Sequence, residues 1–253
     1  LPNRALFVDR SAEDVETDED VNLTGGRDGV PAVVAAAMRS TRQPGASGSD
    51  VSLGHGGDRV SRIEHRRLAA GTEIAVTAGD DGQVLVWAVR NGAISPTALG
   101  RHAGSARGLA TARLADHHDI AVTVGDDGVG QVWDLNGDTA APAPAITAAA
   151  HRSRIQMIDC ARGADGRDLV VSVDLNGQIR TWDLVDGSPG QRLSGGYDSV
   201  ELLRCARLGD GADVVIAADG RGDLLVWQLA DGQLRCRLAG HGVSVAALAA
   251  VRM

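Results

Sequence analysis

The stretch VTVGDDGVGQVW, residues 122–133, holds two apolar runs around a Gly125-Asp126-Asp127-Gly128 turn and ends on a tryptophan. Gly and Asp tolerate the positive φ that tight hairpin turns demand. The phrase therefore reads as a β-hairpin. It recurs as VTAGDDGQVLVW at 76–87, VSVDLNGQIRTW at 171–182 and IAADGRGDLLVW at 216–227. The closing residues Trp87, Trp133, Trp182 and Trp227 fall at intervals of 46, 49 and 45. A period of that length marks one supersecondary unit copied along the chain. It favours a packed interaction surface over a single catalytic centre.

The flanks of the second copy, residues 100–138, carry Gly, Asp and Asn turn signals at the spacing of short strands. Ala106 to Leu114 reads as a first strand, Ile120 to Val124 as a second and Gly130 to Leu135 as a third. Asn136-Gly137 makes the next turn, and a looser outer strand is expected after it. Four antiparallel strands per repeat of about 45 residues make one propeller blade, so the expected fold is all-β.

The joints between strands resemble the WD40 repeat. Gly-His type starts stand at Gly54-His55, Arg101-His102, Ala150-His151 and Gly240-His241. A turn Asp precedes the Trp by six residues in Asp81 to Trp87 and Asp127 to Trp133. The Trp-Asp pair itself is intact in Trp133-Asp134 and Trp182-Asp183. From His55, His102 and His151 to the following Trp is 32, 31 and 31 residues. Several features in register along most of the chain make the signal specific.

The resemblance implies a hydrogen-bonded chain of His, hydroxyl, turn Asp and Trp inside each blade. It places His55, Thr77, Asp81 and Trp87 in one chain, and His102, Thr123, Asp127 and Trp133 in another. The third copy offers His151, Ser172 and Trp182, with Asn176 where Asp is expected. The fourth has Ala217 and Arg221 at the hydroxyl and Asp positions and Gly196 at the His position, which leaves Trp227 to packing alone. Buried polar groups that find partners in this way are tolerable. Recurrence in successive copies makes these His and Asp residues structural first, not a catalytic pair.

A fainter copy precedes the others. LTGGRDGVPAVV, residues 23–34, aligns Thr24, Asp28 and Gly29 with the phrase and puts Val34 in place of Trp. The sequence thus divides into five blades, at about 1–54, 55–101, 102–150, 151–195 and 196–240, with 241–253 opening a further one. Family propellers most often close with seven blades. The chain is therefore expected to be one WD40 propeller that is incomplete or open, and a piece of something larger.

Composition narrows the function. The net charge is −8, and the 25 basic residues are all Arg and scattered. Nucleic acid is not expected as a partner, because phosphate backbones demand a concentrated basic patch. The absence of Lys, together with abundant Ala, Gly and Asp, suggests a GC-rich bacterial source. No apolar run reaches the ~18 residues of a membrane helix, so a cytoplasmic protein without membrane partners is expected. Cys160 and Cys205 each lie 22 residues before a Trp, which makes them equivalent, small, buried positions. With Cys236 they form neither a disulfide framework nor a metal set.

Other short motifs dissolve into the repeat. His117-His118-Asp119 sits in a loop between two strands, Asp174-Leu175-Asn176-Gly177 is a hairpin turn without calcium-loop spacing, and Arg221-Gly222-Asp223 lies in the same turn one copy on. No nucleophile-elbow, zinc-protease or kinase signature appears, so no enzyme, cofactor or metal is expected. Loops after the His turn form one rim in such a fold, and loops on a rigid scaffold carry function. Here the rim comprises Asp58, Arg59, Arg152, Arg154, Tyr197 and Asp198, with Tyr and Arg as favoured interface anchors. The expected function is a protein-binding scaffold or sensor module within a larger regulatory or signalling protein, a fold-level analogy. The alternative is a propeller enzyme with a polar or metal site in the central channel.

Overall fold

Short apolar runs punctuated by Gly-Asp turns fold here into four four-stranded antiparallel sheets, as a computed structural model shows. The structure describes residues 55–253, apart from 57, 91–92, 137–145, 149–150, 164, 196–198, 241, 246–247 and 249–253. The copy expected at 1–54, and the rim residues Tyr197 and Asp198, lie outside the described residues. No helix occurs among the described residues, and none of the sheets closes on itself.

Each sheet is a simple meander in which sequence neighbours pair. The first comprises β1 (Val60–Arg67), β2 (Glu73–Gly79), β3 (Gln83–Arg90) and β4 (Ala93–Arg101). The second comprises β5 (Ala106–Arg113), β6 (Asp119–Gly125), β7 (Gly130–Asp134) and β8 (Ile146–Ala148). The third holds β9 (Ile155–Arg162), β10 (Asp168–Asp174), β11 (Ile179–Asp183) and β12 (Pro189–Leu193). The fourth holds β13 (Val200–Arg207), β14 (Asp213–Asp219), β15 (Leu224–Gln228) and β16 (Leu234–Leu238).

The turn between the second and third strands differs from the primed hairpin turn that the sequence suggests. Gly128 N–H donates to the Gly125 carbonyl at 3.1 Å, and only Gly128 takes positive φ, at 72°. Asp126 and Asp127 keep negative φ. The second glycine is needed for a further reason. A Cβ on Gly128 would lie 3.1 Å from the Ser153 carbonyl and 3.3 Å from that of His151. The hairpin tip therefore presses on the turn that opens the next sheet.

Alternation along the strands gives each sheet two apolar faces, and the sheets stack by those faces. Val76, Val84 and Leu99 of the first sheet pack with Leu109, Ala121 and Trp133 of the second. Val122, Val124 and Val132 of the second pack with Ile155, Val170 and Trp182 of the third. Val171, Ile179 and Leu193 of the third pack with Leu203, Val215 and Trp227 of the fourth. The indole leads each interface. Trp133 lies over Gly100 of β4 and Trp182 over Gly130 of β7, where a Cβ would run into the ring. The four Trp are 0–3% exposed.

The first strands carry one shared irregularity. β1, β5, β9 and β13 each begin with a register shift, which leaves Ser61, Arg107, Gln156 and Glu201 as the extra residue. Such β-bulges re-aim a side chain and sharpen the local twist. The same four strands adjoin one another in chain order, β1 to β5 to β9 to β13.

Candidate functional site

Burying a His, a Thr and an Asp needs a closed set of hydrogen bonds. The first two sheets have such a set. Thr77 Oγ1 accepts from Trp87 Nε1 at 2.9 Å and bonds His55 Nε2 at 2.9 Å. His55 Nδ1 meets Asp81 Oδ1 at 2.8 Å. In the second sheet Thr123 Oγ1 accepts from Trp133 at 2.8 Å and bonds His102 Nε2 at 2.9 Å, and His102 Nδ1 meets Asp127 Oδ2 at 3.0 Å. Both His residues are buried, both Thr are fully buried, and the carboxylates stand at the turn.

The third sheet rearranges the set. Ser172 Oγ bonds His151 Nε2 at 2.8 Å and accepts from Trp182 at 3.3 Å. Asn176, expected in the chain, is instead exposed, and its backbone N–H donates to Asp174 Oδ1 at 3.0 Å. Asp174 Oδ2 takes the place beside His151, 3.2 Å from Nδ1, although the alignment does not complete a hydrogen bond. Asp174 occupies the position of Gly79 and Gly125, where a Cβ would collide with His55 or crowd His102. The carboxylate has therefore moved two residues upstream. Burial pushes the His151 imidazole below its ordinary value, against the pull of Asp174.

In the fourth sheet Trp227 does not rely on packing alone, as the sequence suggests. Its indole N–H donates to the Ser194 carbonyl at 2.9 Å. Asp219, the counterpart of Asp174, is buried and accepts from Arg221 N–H and Asp223 N–H at 3.0 Å each and from Arg237 at 3.0 Å.

At the opposite end of the strands lies a set of ion pairs that the sequence reading missed. Arg113 meets Asp119 at 2.9 Å, Arg162 meets Asp168 at 2.9 Å, and Arg207 stands 3.6 Å from Asp213. Asp119 also receives Arg66 at 3.2 Å and the Ala69 N–H at 2.6 Å, both from the first sheet. Arg113 reaches the Arg67 carbonyl at 2.9 Å, and Arg162 the Arg113 carbonyl at 3.3 Å. These contacts tie the second sheet to the first and the third to the second. Burial alone would raise the Asp119 carboxyl, but Arg113, Ala69 N–H and Arg66 outweigh it and hold the group below the ordinary carboxylate range. The signal was present as Arg followed six residues later by Asp in three copies.

The bulged strands enclose two cavities. The inner one, about 360 Å³, is lined by Arg62 and Glu64 of β1, Leu109 of β5, Met157 of β9, and Glu201 and Arg204 of β13. Asp159 of β9 stands at the same strand position as Glu64 and Arg204. It accepts the N–H of Cys160 at 2.9 Å and that of Cys205 at 2.8 Å, which joins β9 to β13. Burial raises both Glu64 and Asp159 above the ordinary carboxylate range, despite the nearby Arg204. Burial likewise pushes the Cys160 and Cys205 thiols up.

The outer cavity, about 370 Å³, brings together Arg59 and Arg154 of the expected rim, and adds Arg62, Arg107, Ser61 and Gln156. Asp58 and Arg152 are exposed and do not line it. His117 and His118 are exposed, and no group of His, Cys, Asp or Glu among the described residues is arranged to hold a metal. Among the described residues, no helix is long and apolar enough to cross a membrane. Set against known proteins, the chain matches no protein-family model and no curated sequence.

Proposed function

We propose that this chain is a WD40-type β-propeller, open or incomplete, that serves as a protein-binding scaffold or sensor module. The observation that carries this reading is the repetition of one buried His–hydroxyl–Trp chain in three successive sheets stacked face to face. A catalytic His-Asp pair occurs once and faces a cavity. Here each His is sealed between strands, so its chemistry is spent on holding a blade. What remains free for recognition is the rim around Asp58, Arg59, Arg152 and Arg154, all exposed. The test uses Asp58→Arg with Arg152→Glu, which reverses charge outside both cavities. Stability should stay within about 0.5 kcal/mol, as for surface changes, while a partner that co-purifies with the wild type from its native cells is lost. Retention of that partner by the folded variant refutes the rim.

A second reading has one observation in its favour. Glu64, raised above the ordinary carboxylate range by burial, lines the inner cavity with Glu201, Arg62 and Arg204. An enzyme would use such a set for acid–base chemistry. Turnover of a small hydrolysable ester or amide that Glu64→Gln abolishes, with the melting curve unchanged, would favour it over the scaffold.

A further inference from the structure

The bulges at the heads of β1, β5 and β9 deliver Ser61, Arg107 and Gln156 to the wall of the outer cavity. Arg59, Arg62 and Arg154 join them, so three successive sheets each contribute at least one guanidinium. The charges there do not balance. Asp80 takes Arg59 at 3.1 Å and Arg107 at 3.1 Å, and Asp126 takes Arg107 at 3.1 Å. Ser61 Oγ donates to Asp80 as well, at 2.9 Å. These two carboxylates are thus satisfied by Arg59 and Arg107. Arg62 and Arg154 have no carboxylate within ion-pairing distance among the described residues. The Arg62 guanidinium donates only to the neighbouring Ser61 carbonyl, at 2.8 Å. Partial desolvation, with Arg204, Arg59 and Arg107 close by, holds Arg62 below its usual range even though the residue is exposed overall. Two exposed guanidiniums without a carboxylate partner thus gather at one cavity, in a protein of net charge −8.

We propose that the outer cavity binds a phosphate monoester, with Arg62 and Arg154 as the guanidinium ligands of its oxygens. A monoester carries about −1.5 to −2 near neutral pH, which matches two free guanidiniums. A carboxylate carries one charge and leaves a cation uncompensated. Planar guanidinium forks suit phosphate oxygens. Arg107, held by Asp80 and Asp126, forms a fixed wall beside them, and the Gln156 amide supplies a neutral donor. Leu175, 57% exposed at the edge, offers an apolar contact to the organic part of the ester. A cavity of this size takes a small molecule or one phosphorylated side chain. The inference rests on the rim reading in that Arg59 and Arg154 belong to both, and the Asp58→Arg with Arg152→Glu variant, which touches neither cavity, tells the two apart.

Calorimetric titration with phenyl phosphate, O-phosphoserine, a phosphoserine peptide and acetate provides the test. The wild type should bind the monoesters, at least about ten-fold more tightly than acetate, and weaken with salt. Arg62→Ala and Arg154→Ala should each weaken binding at least about ten-fold, with Arg62→Gln and Arg154→Gln as substitutes if an alanine variant does not fold. Asp58→Arg with Arg152→Glu should leave monoester binding in place, which separates this site from partner capture. A peptide that binds more tightly than O-phosphoserine identifies a phosphorylated partner as the source, and equal affinity identifies a free metabolite. No monoester binding by the wild type, equal binding of acetate, or indifference to substitution at both arginines overturns the proposal.

Discussion

The second and fourth sheets bury the same indole in the same register and satisfy it by different means. In the second, Trp133 ends a four-membered chain through Thr123 and His102 to Asp127. In the fourth, Ala217 replaces the hydroxyl, and Trp227 turns its N–H to the Ser194 carbonyl. Both rings are almost completely buried. The difference separates two contributions that a complete repeat confounds. The ring fills the space between sheets, while the polar chain satisfies groups that burial would otherwise leave unpaired. A sheet that loses its His, hydroxyl and turn Asp together loses the need for them together.

The third sheet stands between these cases. Its carboxylate reaches His151 from Asp174, two residues before the position that serves His102. Either position works, but the pairing is not interchangeable residue by residue. A side chain at Gly79 would collide with His55 and Asp81. A sheet with the turn Asp therefore takes Gly upstream of it, and a sheet with the upstream Asp carries Asn or Arg in the turn.

The largest effect should come from removing either ring. Trp133→Ala and Trp227→Ala should each destabilise by about 3–5 kcal/mol, as other buried aromatic truncations do. Chemical denaturation monitored by circular dichroism measures this. A loss confined to Trp133 would mean that the polar chain, and not the packing, holds the sheet. An unchanged midpoint for both would show that the rings are not buried.

The far ends of the strands sharpen the same contrast. Asp119 gathers Arg113, Arg66 and the Ala69 N–H, whereas Asp213 has Arg207 at 3.6 Å and one buried oxygen without a partner. Asp119→Ala should cost about 1–3 kcal/mol, at the low end of buried ion pairs because both guanidiniums keep partial contact with water. Asp213→Ala should cost less. Equal losses in thermal melts would deny that Asp119 ties two sheets together.

A smaller change isolates the hydroxyl. Thr123→Val keeps the shape and removes the acceptor shared by Trp133 and the donor partner of His102, at about 1–3 kcal/mol. Ala217→Ser in the fourth sheet should bring no comparable gain, because the sequence has Gly196 where the other copies have His, and Trp227 already donates to Ser194. A gain of similar size would mean that Trp227 prefers the hydroxyl and accepts the carbonyl only for want of it.

The repeat phrase made the strands and their order legible because alternation and Gly-Asp turns act locally. The second copy's strands fall within a residue of β5, β6 and β7. The turn type was less legible, since Asp126 and Asp127 tolerate positive φ without adopting it. The repeat register points to Asn176 where Asp174 acts, because a carboxylate two residues away reaches the same imidazole through space. Arg107 and Arg62 were invisible as a pair. Only the bulge, a feature of pairing across strands, turns Arg107 towards the cavity that Arg62 and Arg154 share.

The smallest effect tests the shifted carboxylate through pH. The folded-state value of His151 is depressed by burial, so between it and the ordinary 6.5 the unfolded chain binds the extra proton. Stability should be fully present above about pH 6.5 and fall as the pH drops towards the lower folded value, then level off. His151→Gln should flatten that part of the profile, and Asp174→Asn should steepen it by removing the strongest of the groups that favour the charged imidazole. A steeper profile in His151→Gln, or a flatter one in Asp174→Asn, would mean that the carboxylate does not act on this ring. The second sheet would then be the better model for how the third holds its tryptophan.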